Sequence, residues 1–70
     1  MKAIVEGKEV KVGDWVGFKS DYEQYGQIKE IRRSKFRNDA ELVLFNENGF
    51  GGEYLRYAKT TVEHASDCWL

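Results

Sequence analysis

The sequence predicts an all-β protein built from five or six short strands, and three observations lead to this prediction. Apolar residues recur with a period of two rather than 3.6, and no stretch of ten or more residues favours an amphipathic helix. Turn signals separate the apolar runs every eight to twelve residues or so, which is typical of small sandwiches and barrels. The 70-residue chain contains no proline and seven glycines, most of them at predicted turns. At this length we expect a closed barrel, because closure removes the exposed edges of an open sheet.

The first part of the chain predicts a hairpin followed by a longer strand. Residues 3–5 are apolar, residues 10–12 have two valines around Lys11, and the two segments flank Gly7, so they are expected to pair across a glycine-containing turn. A Gly-Asp turn then leads into a strand over residues 15–19. Residues 20–23 are polar and predict a loop.

The middle of the chain predicts two strands joined by a loop. The first covers residues 25–32, in which Ile28 and Ile31 stand three apart and would face opposite sides of a regular strand. A β-bulge would bring both to one face, and bulges are how small barrels bend. Residues 34–39 predict a loop, and residues 41–45 a strand that is apolar on both faces.

The last part predicts a turn over residues 46–49, an aromatic, glycine-punctuated segment over 50–57 and a strand over 60–64.

Strand alternation places Trp15 on the outer face. The residues predicted to face the interior are Val16, Phe18, Ile28, Leu42, Leu44 and Val62, with either Ile31 or Cys68.

Composition indicates one globular domain over residues 1–70, with 41% hydrophobic residues and ten aromatic side chains. No apolar run approaches the roughly 18 residues of a membrane span, and residues 1–6 lack the apolar core of a secretory signal. The single cysteine, Cys68, cannot form an internal disulfide, which fits a reducing compartment. We therefore expect a cytoplasmic protein with no membrane partner, no metal and no cofactor.

Charge is unevenly distributed, although the net charge is only −1. Residues 1–37 carry nine basic and six acidic side chains, whereas residues 38–70 carry two and six. The basic excess is concentrated in residues 29–37, with five basic side chains and one acidic one. A net negative chain is not a general polyanion binder, so any contact with nucleic acid would be local.

Four segments carry a resemblance to a known fold family: VGDWVGF, GQIKEI, ELVLF and TTVEHASDCWL. Together they resemble the Src-homology-3-like small barrels of the KOW and Tudor kind, over roughly residues 10–70. The resemblance implies a barrel that binds peptides, modified side chains, RNA or proteins and rarely catalyses a reaction. The whole chain is also similar to small uncharacterised bacteriophage and prophage proteins, which implies no particular activity.

The sequence contains no recognisable catalytic motif. His64 and Cys68 are the single histidine and the single cysteine, whereas a metal site needs three or four ligands and a nucleophile pair needs an orienting third group. We expect Cys68 to be a small buried side chain and His64 to lie at a strand end or on the surface. The serines have no predicted histidine–acid partners, and residues 49–52 lack the lysine and helix of a phosphate-binding loop. We therefore expect a non-enzymatic protein.

Aromatic and arginine side chains form the first candidate binding surface. One interpretation is a satellite cluster that packs under long loops. The other is an interface patch, because Trp, Tyr and Arg are enriched in interface hot spots. A cage for a cation would require three or four rings that face one point. The candidate residues are Trp15, Tyr22, Tyr25, Tyr54, Arg56 and Tyr57.

The basic segment is the second candidate. Phe36 between Lys35 and Arg37 combines a stacking ring with side chains that pair with phosphate, as a nucleic-acid site would. The alternative is a solvated or protein-facing hairpin tip, which the acidic second half of the chain favours. Its candidate residues are Arg32, Arg33, Lys35, Phe36 and Arg37.

We expect a binding module that modulates a protein partner (a host protein in the host cytoplasm, if the chain is phage-encoded), with a KOW-like nucleic-acid-binding barrel as the alternative. The oligomeric state is not predicted.

Overall fold

The computed structural model describes residues 2–70, so only the first residue of the predicted domain lies outside it. Within this range the structure is all-β, as predicted, and its only helix is a single 3-10 turn, Ala65–Asp67. The strands are β1 (Ala3–Val5), β2 (Lys8–Val10), β3 (Trp15–Ser20), β4 (Tyr22–Arg33), β5 (Ala40–Phe45) and β6 (Thr60–His64).

The strands form two antiparallel sheets, and within each sheet the strands pair in chain order. One sheet is the β1–β2 hairpin, and the other has the order β3-β4-β5-β6. A single bridge between Gly17 and Trp69 brings the segment after the 3-10 helix onto the outer edge of β3. The hydrogen-bonded ladders of residues 2–70 do not close into a complete barrel, because β6 has a partner on one side only.

The first hairpin forms as predicted, but its second strand begins and ends two residues earlier than predicted. Glu6 and Gly7 both have positive φ, at 51° and 79°, which suits the two-residue turn of a right-twisted hairpin. Val5 therefore pairs with Lys8, and β2 ends at Val10 rather than Val12.

The predicted loop over residues 20–23 is wrong. β3 and β4 are joined by Asp21 alone, with Ser20 paired to Tyr22. Asp21 has a φ of 64°, and aspartate tolerates this left-handed conformation better than most residues. The polar character of Glu23 reflects the solvent-exposed face of a long strand instead of a loop.

The predicted bulge in β4 is confirmed. The register against β5 shifts between Ile28 and Glu30. Because the strand gains one residue there, Ile28 and Ile31 both reach the interior, where both are buried.

The core contains all of the predicted residues except Val62, and it also contains residues that the prediction did not include, of which Phe50 is the largest. Val62 is 47% exposed, because it pairs with outward-facing Val43 while Glu63 pairs with buried Leu42. The sequence prediction did not include Phe50, whose ring meets that of Phe18 edge-on at 5.2 Å. The buried hydrophobic residues are Ala3, Val5, Val10, Val16, Phe18, Ile28, Ile31, Leu42, Leu44, Phe50, Ala65 and Cys68.

Candidate functional site

Three aromatic residues lie around Gly17 on the outer face of β3 and β4, and we call this surface the outer aromatic patch: Trp15, Tyr25 and Trp69. Trp15 belongs to this face because it lies two residues before Gly17 on β3. Tyr25 lies directly across from Gly17 in the β3–β4 ladder, and Trp69 bridges to Gly17 from the other side. The indole N–H of Trp69 donates to the Tyr25 hydroxyl at 3.5 Å. Trp15 and Tyr25 are 54% and 50% exposed, so the patch presents its rings to solvent.

Gly17 makes this arrangement possible because it has no side chain. The Trp69 ring lies where a side chain would project, since a Cβ added at Gly17 would be 2.6 Å from Cε2 of the indole. The main chains of Gly17 and Trp69 exchange two hydrogen bonds, of 2.7 and 2.9 Å. The Trp69 ring is therefore held against a rigid sheet. Sequence reasoning missed Trp69, although a glycine inside a strand is a known sign of close approach by another group.

The other predicted aromatic residues lie elsewhere. The hydroxyl of Tyr22 lies against Gly51, so this ring packs on the segment between β5 and β6. Tyr54 and Tyr57 are in that segment and are largely exposed. Of the predicted aromatic candidates, the structure brings only Trp15 and Tyr25 into the outer aromatic patch, together with Trp69.

The segment between β5 and β6 is attached to the β3–β4 turn. The Gln24 side chain accepts from the Gly51 N–H at 2.8 Å and donates to its carbonyl at 3.0 Å. Asp21 accepts from the Glu53 N–H at 2.6 Å. Arg56, a predicted contact residue, donates from Nε to the carbonyl of Glu53, so its side chain is held locally.

The basic segment lies at the opposite end of β4, and two of its three arginines are paired with carboxylates. Arg37 lies 3.3 Å from Asp67, and Arg32 lies 3.3 Å from Glu30 while also facing Glu41 across the ladder. Within residues 2–70, the basic side chains of this segment with no carboxylate within 4 Å are Lys29, Arg33 and Lys35.

The tip of the β4–β5 hairpin nevertheless exposes one large ring. Phe36 is 92% exposed. The buried hydroxyl of Ser34 accepts from the N–H groups of Phe36 and Arg37, at 3.4 and 3.1 Å. These bonds order the turn and leave the Phe36 ring in solvent.

A polar cluster joins this tip to the 3-10 helix. Asp39 accepts from both the hydroxyl and the N–H of Ser66, at 2.8 and 3.2 Å, and its other oxygen lies 3.4 Å from Nδ1 of His64. Burial raises the pKa of Asp39, but the Ser66 hydrogen bonds and the charges of Arg37 and His64 outweigh it, so the pKa is lowered.

The cluster brings Ser66 together with His64 and Asp39, which the sequence did not predict, but the hydrogen bonds are not those of a catalytic triad. The Ser66 hydroxyl donates to Asp39, whereas a nucleophilic serine would donate to the histidine. Cys68 is buried, as predicted, and burial raises its pKa to about 12, with further contributions from Glu63, Asp67 and Asp39. Its thiol is therefore protonated at neutral pH and is a poor nucleophile.

Comparison with known proteins identifies no relative: no family model, curated protein or solved structure matches the chain. No group of three or more side chains suited to hold a metal ion occurs in residues 2–70. No helix in the same range has the length and apolar character to cross a membrane.

Proposed function

We propose that the chain is a non-enzymatic binding module that recognises a protein partner through the outer aromatic patch. Its fold would be a Src-homology-3-like small barrel that is open between β3 and β6. The observation that carries the proposal is the exposure of Trp15 and Tyr25 beside a Trp69 ring anchored on Gly17. Large, rigid aromatic side chains supply contact area at a low entropic cost, and they dominate interface hot spots.

The charges around the patch favour a protein over a nucleic acid. Lys19 faces Glu23 in the adjacent cross-strand pair, so the border of the patch has both signs. A surface for a phosphate backbone would instead present an excess of unpaired basic side chains. The resemblance to small phage proteins noted from the sequence would make a host protein, in the host cytoplasm, the partner whose activity is modulated.

Affinity capture with matched variants tests this proposal. The wild-type protein, a Trp15→Ala/Tyr25→Ala variant and an Arg33→Ala/Lys35→Ala variant are immobilised at equal density and exposed to nuclease-treated host lysate. A protein captured by the wild type and the basic-tip variant but not by the patch variant is the expected result. Loss of the same protein with the basic-tip variant alone would contradict the role of the patch.

Nucleic-acid binding by the hairpin tip is the second candidate, and the exposed Phe36 ring is the observation in its favour. Phe36 lies between Lys35 and Arg37, with Arg33 nearby in the chain. Because Arg37 is paired with Asp67, only Arg33 and Lys35 are free to contact phosphates at the tip. Two phosphate contacts would give a slope of log K against log salt near −1.8, at about 0.9 per contact.

Fluorescence anisotropy with labelled DNA and RNA at several salt concentrations distinguishes the two candidates. The proposed function predicts no detectable binding at physiological salt. Binding with the expected slope that is lost in both Arg33→Ala/Lys35→Ala and Phe36→Ala would support the second candidate instead.

A further inference from the structure

The outer strands β3 and β6 border an open groove of about 590 Å³. Its lining includes Lys19 and Ser20 from β3 and residues 61–63 from β6. Tyr54 and Leu55, from the segment between β5 and β6, and Asp21, from the β3–β4 turn, complete the lining. None of these groups belongs to the outer aromatic patch, so the groove is a separate surface.

The β6 side of this groove presents main-chain groups without partners. Asn46 donates its N–H to the carbonyl of Lys59 at 2.9 Å, so Asn46 and Lys59 are a hydrogen-bonded pair at the end of the β5–β6 ladder. Because hydrogen-bonded pairs alternate in an antiparallel ladder, Thr61 and Glu63 bond to β5 and Val62 directs its N–H and C=O away from it. Within residues 2–70, no hydrogen bond from another segment reaches the main chain of Val62.

On β3, the main-chain N–H and C=O of Lys19 point away from β4, toward the free edge of the sheet. Gly17 uses its outward N–H and C=O to bond Trp69, and two residues further along the strand Lys19 faces the same way. Trp69 therefore covers only part of the β3 edge, and the groove begins where this cover ends.

The floor of the groove carries a negative charge. Glu63 pairs across the ladder with buried Leu42, so its side chain faces inward although it is ionisable. The hydroxyl of Thr61 donates to its carboxylate at 2.8 Å. Burial raises the pKa of Glu63, and the charge of Asp67 raises it further. The Lys19 side chain is not its counter-ion, because it faces Glu23 on the outer face.

We propose that this groove binds an extended peptide segment of a partner, which adds a strand to the free edge of β6 and places a lysine or arginine side chain against Glu63. Main-chain pairing with Val62 would supply affinity, as in other cases of strand addition. The half-buried carboxylate would select the basic side chain, because a positive charge restores the stabilisation that Glu63 loses on burial. This inference goes beyond the proposed function, since it involves a different surface.

A peptide-display library of random seven-residue segments is the probe, selected on the wild-type protein and then measured as synthetic peptides. Val62→Pro is the decisive variant, because proline removes an N–H that faces the free edge and no ladder bond to β5 is lost. Val62→Ala is its matched control, since it keeps the N–H. Glu63→Gln removes the charge at nearly constant shape.

We expect the selected peptides to share one lysine or arginine position. Affinity should fall about tenfold or more with Val62→Pro, because one donor is lost and a peptide carbonyl is left unpaired, and it should stay nearly unchanged with Val62→Ala. Glu63→Gln should weaken peptides with the basic residue but not matched peptides with alanine there. The Val62 amide of the wild type should gain protection from hydrogen exchange, a measurement that does not depend on the proline variant folding.

Three results would overturn the inference. Peptides could bind equally to Val62→Pro and Val62→Ala, with both variants folded by circular dichroism. The selected peptides could lack a basic position or lose affinity only with Trp15→Ala, which would place them on the outer aromatic patch. The wild type could also self-associate through β6, with Val62→Pro monomeric, which would make a second copy of the chain the occupant. Retained peptide binding by Trp15→Ala keeps this inference independent of the proposed function.

Discussion

Replacing Gly17 with alanine should displace Trp69 and detach the segment after the 3-10 helix. The new Cβ would be 2.6 Å from Cε2 and 2.8 Å from Cδ1 of the indole, distances that no packed structure tolerates. Gly17 does not have a positive φ, so alanine itself fits the backbone and the clash is the dominant effect. Two hydrogen bonds join Gly17 to Trp69, and at about 1 kcal/mol each, plus the contacts of the ring, their loss should cost about 2–4 kcal/mol.

Urea denaturation followed by far-ultraviolet circular dichroism measures this cost. A domain of this size has only about 3–5 kcal/mol of stability, and its slope is about 1 kcal/mol per molar urea. The midpoint should therefore fall by about 2–4 M. The control is the same substitution in a Trp69→Ala background, where no ring is left to clash and Gly17→Ala should cost less than about 0.5 kcal/mol. An equal cost in both backgrounds would show that the Trp69 ring does not cause the loss, because the double-mutant cycle would then show no coupling between the two positions.

Three further predictions concern the core and the ionisable groups. Phe18→Ala removes a fully buried ring that meets Phe50 edge-on at 5.2 Å; it should cost about 3–5 kcal/mol and leave the protein largely unfolded by circular dichroism, so a cooperative thermal transition would contradict the core assignment. The lowered pKa of Asp39 stabilises the fold above about pH 4, and this stabilisation is lost as the pH falls through the lowered value. The urea midpoint should therefore drop less between about pH 5 and about pH 3 in Ser66→Ala than in the wild type. An equal drop in both proteins would argue against the Ser66–Asp39 bonds. The raised pKa of Cys68 stabilises the folded state below about pH 9, and this stabilisation is lost between about pH 9 and about pH 12. At pH 8 the native thiol should resist a thiol reagent that labels it at once in urea. Equal labelling rates in the two conditions would contradict its burial.

The all-β class and most of the interior could be predicted from the sequence because they depend on local alternation. Val16 and Phe18 alternate with Trp15 on a regular strand, and the structure buries the first two and exposes the third. The spacing of Ile28 and Ile31 also predicted a specific irregularity, a bulge, because both residues are too apolar to face solvent.

The errors arose where pairing between distant residues decides the outcome. Val62 looked like a core residue because it is the one aliphatic side chain in its strand, but the register against β5 places Glu63 on the inside instead. Phe50 lies in a segment with no regular period, so alternation could not assign it. Trp69 joined the outer aromatic patch only because Gly17, 52 residues earlier in the numbering, offers the bare backbone on which its ring packs.

Folding balances part of the charge of the basic segment for the same reason. Read along the sequence, residues 29–37 have a large basic excess, but folding places Asp39, Glu41 and Asp67 beside their arginines. Local charge in a sequence is therefore a poor guide to the charge of a surface when strands from an acidic half of the chain pair with a basic one.

Fluorine NMR of fluorotryptophan-labelled protein tests the claim that a protein partner binds the outer aromatic patch. The chain has two tryptophans, Trp15 and Trp69, and both belong to the patch, while an unlabelled partner contributes no signal. Single substitutions of each tryptophan assign the two resonances. On addition of the captured partner, both resonances should shift or broaden, with the same response in Arg33→Ala/Lys35→Ala. A complex that forms, as judged by its size, while both resonances keep their free positions and widths would contradict the claim.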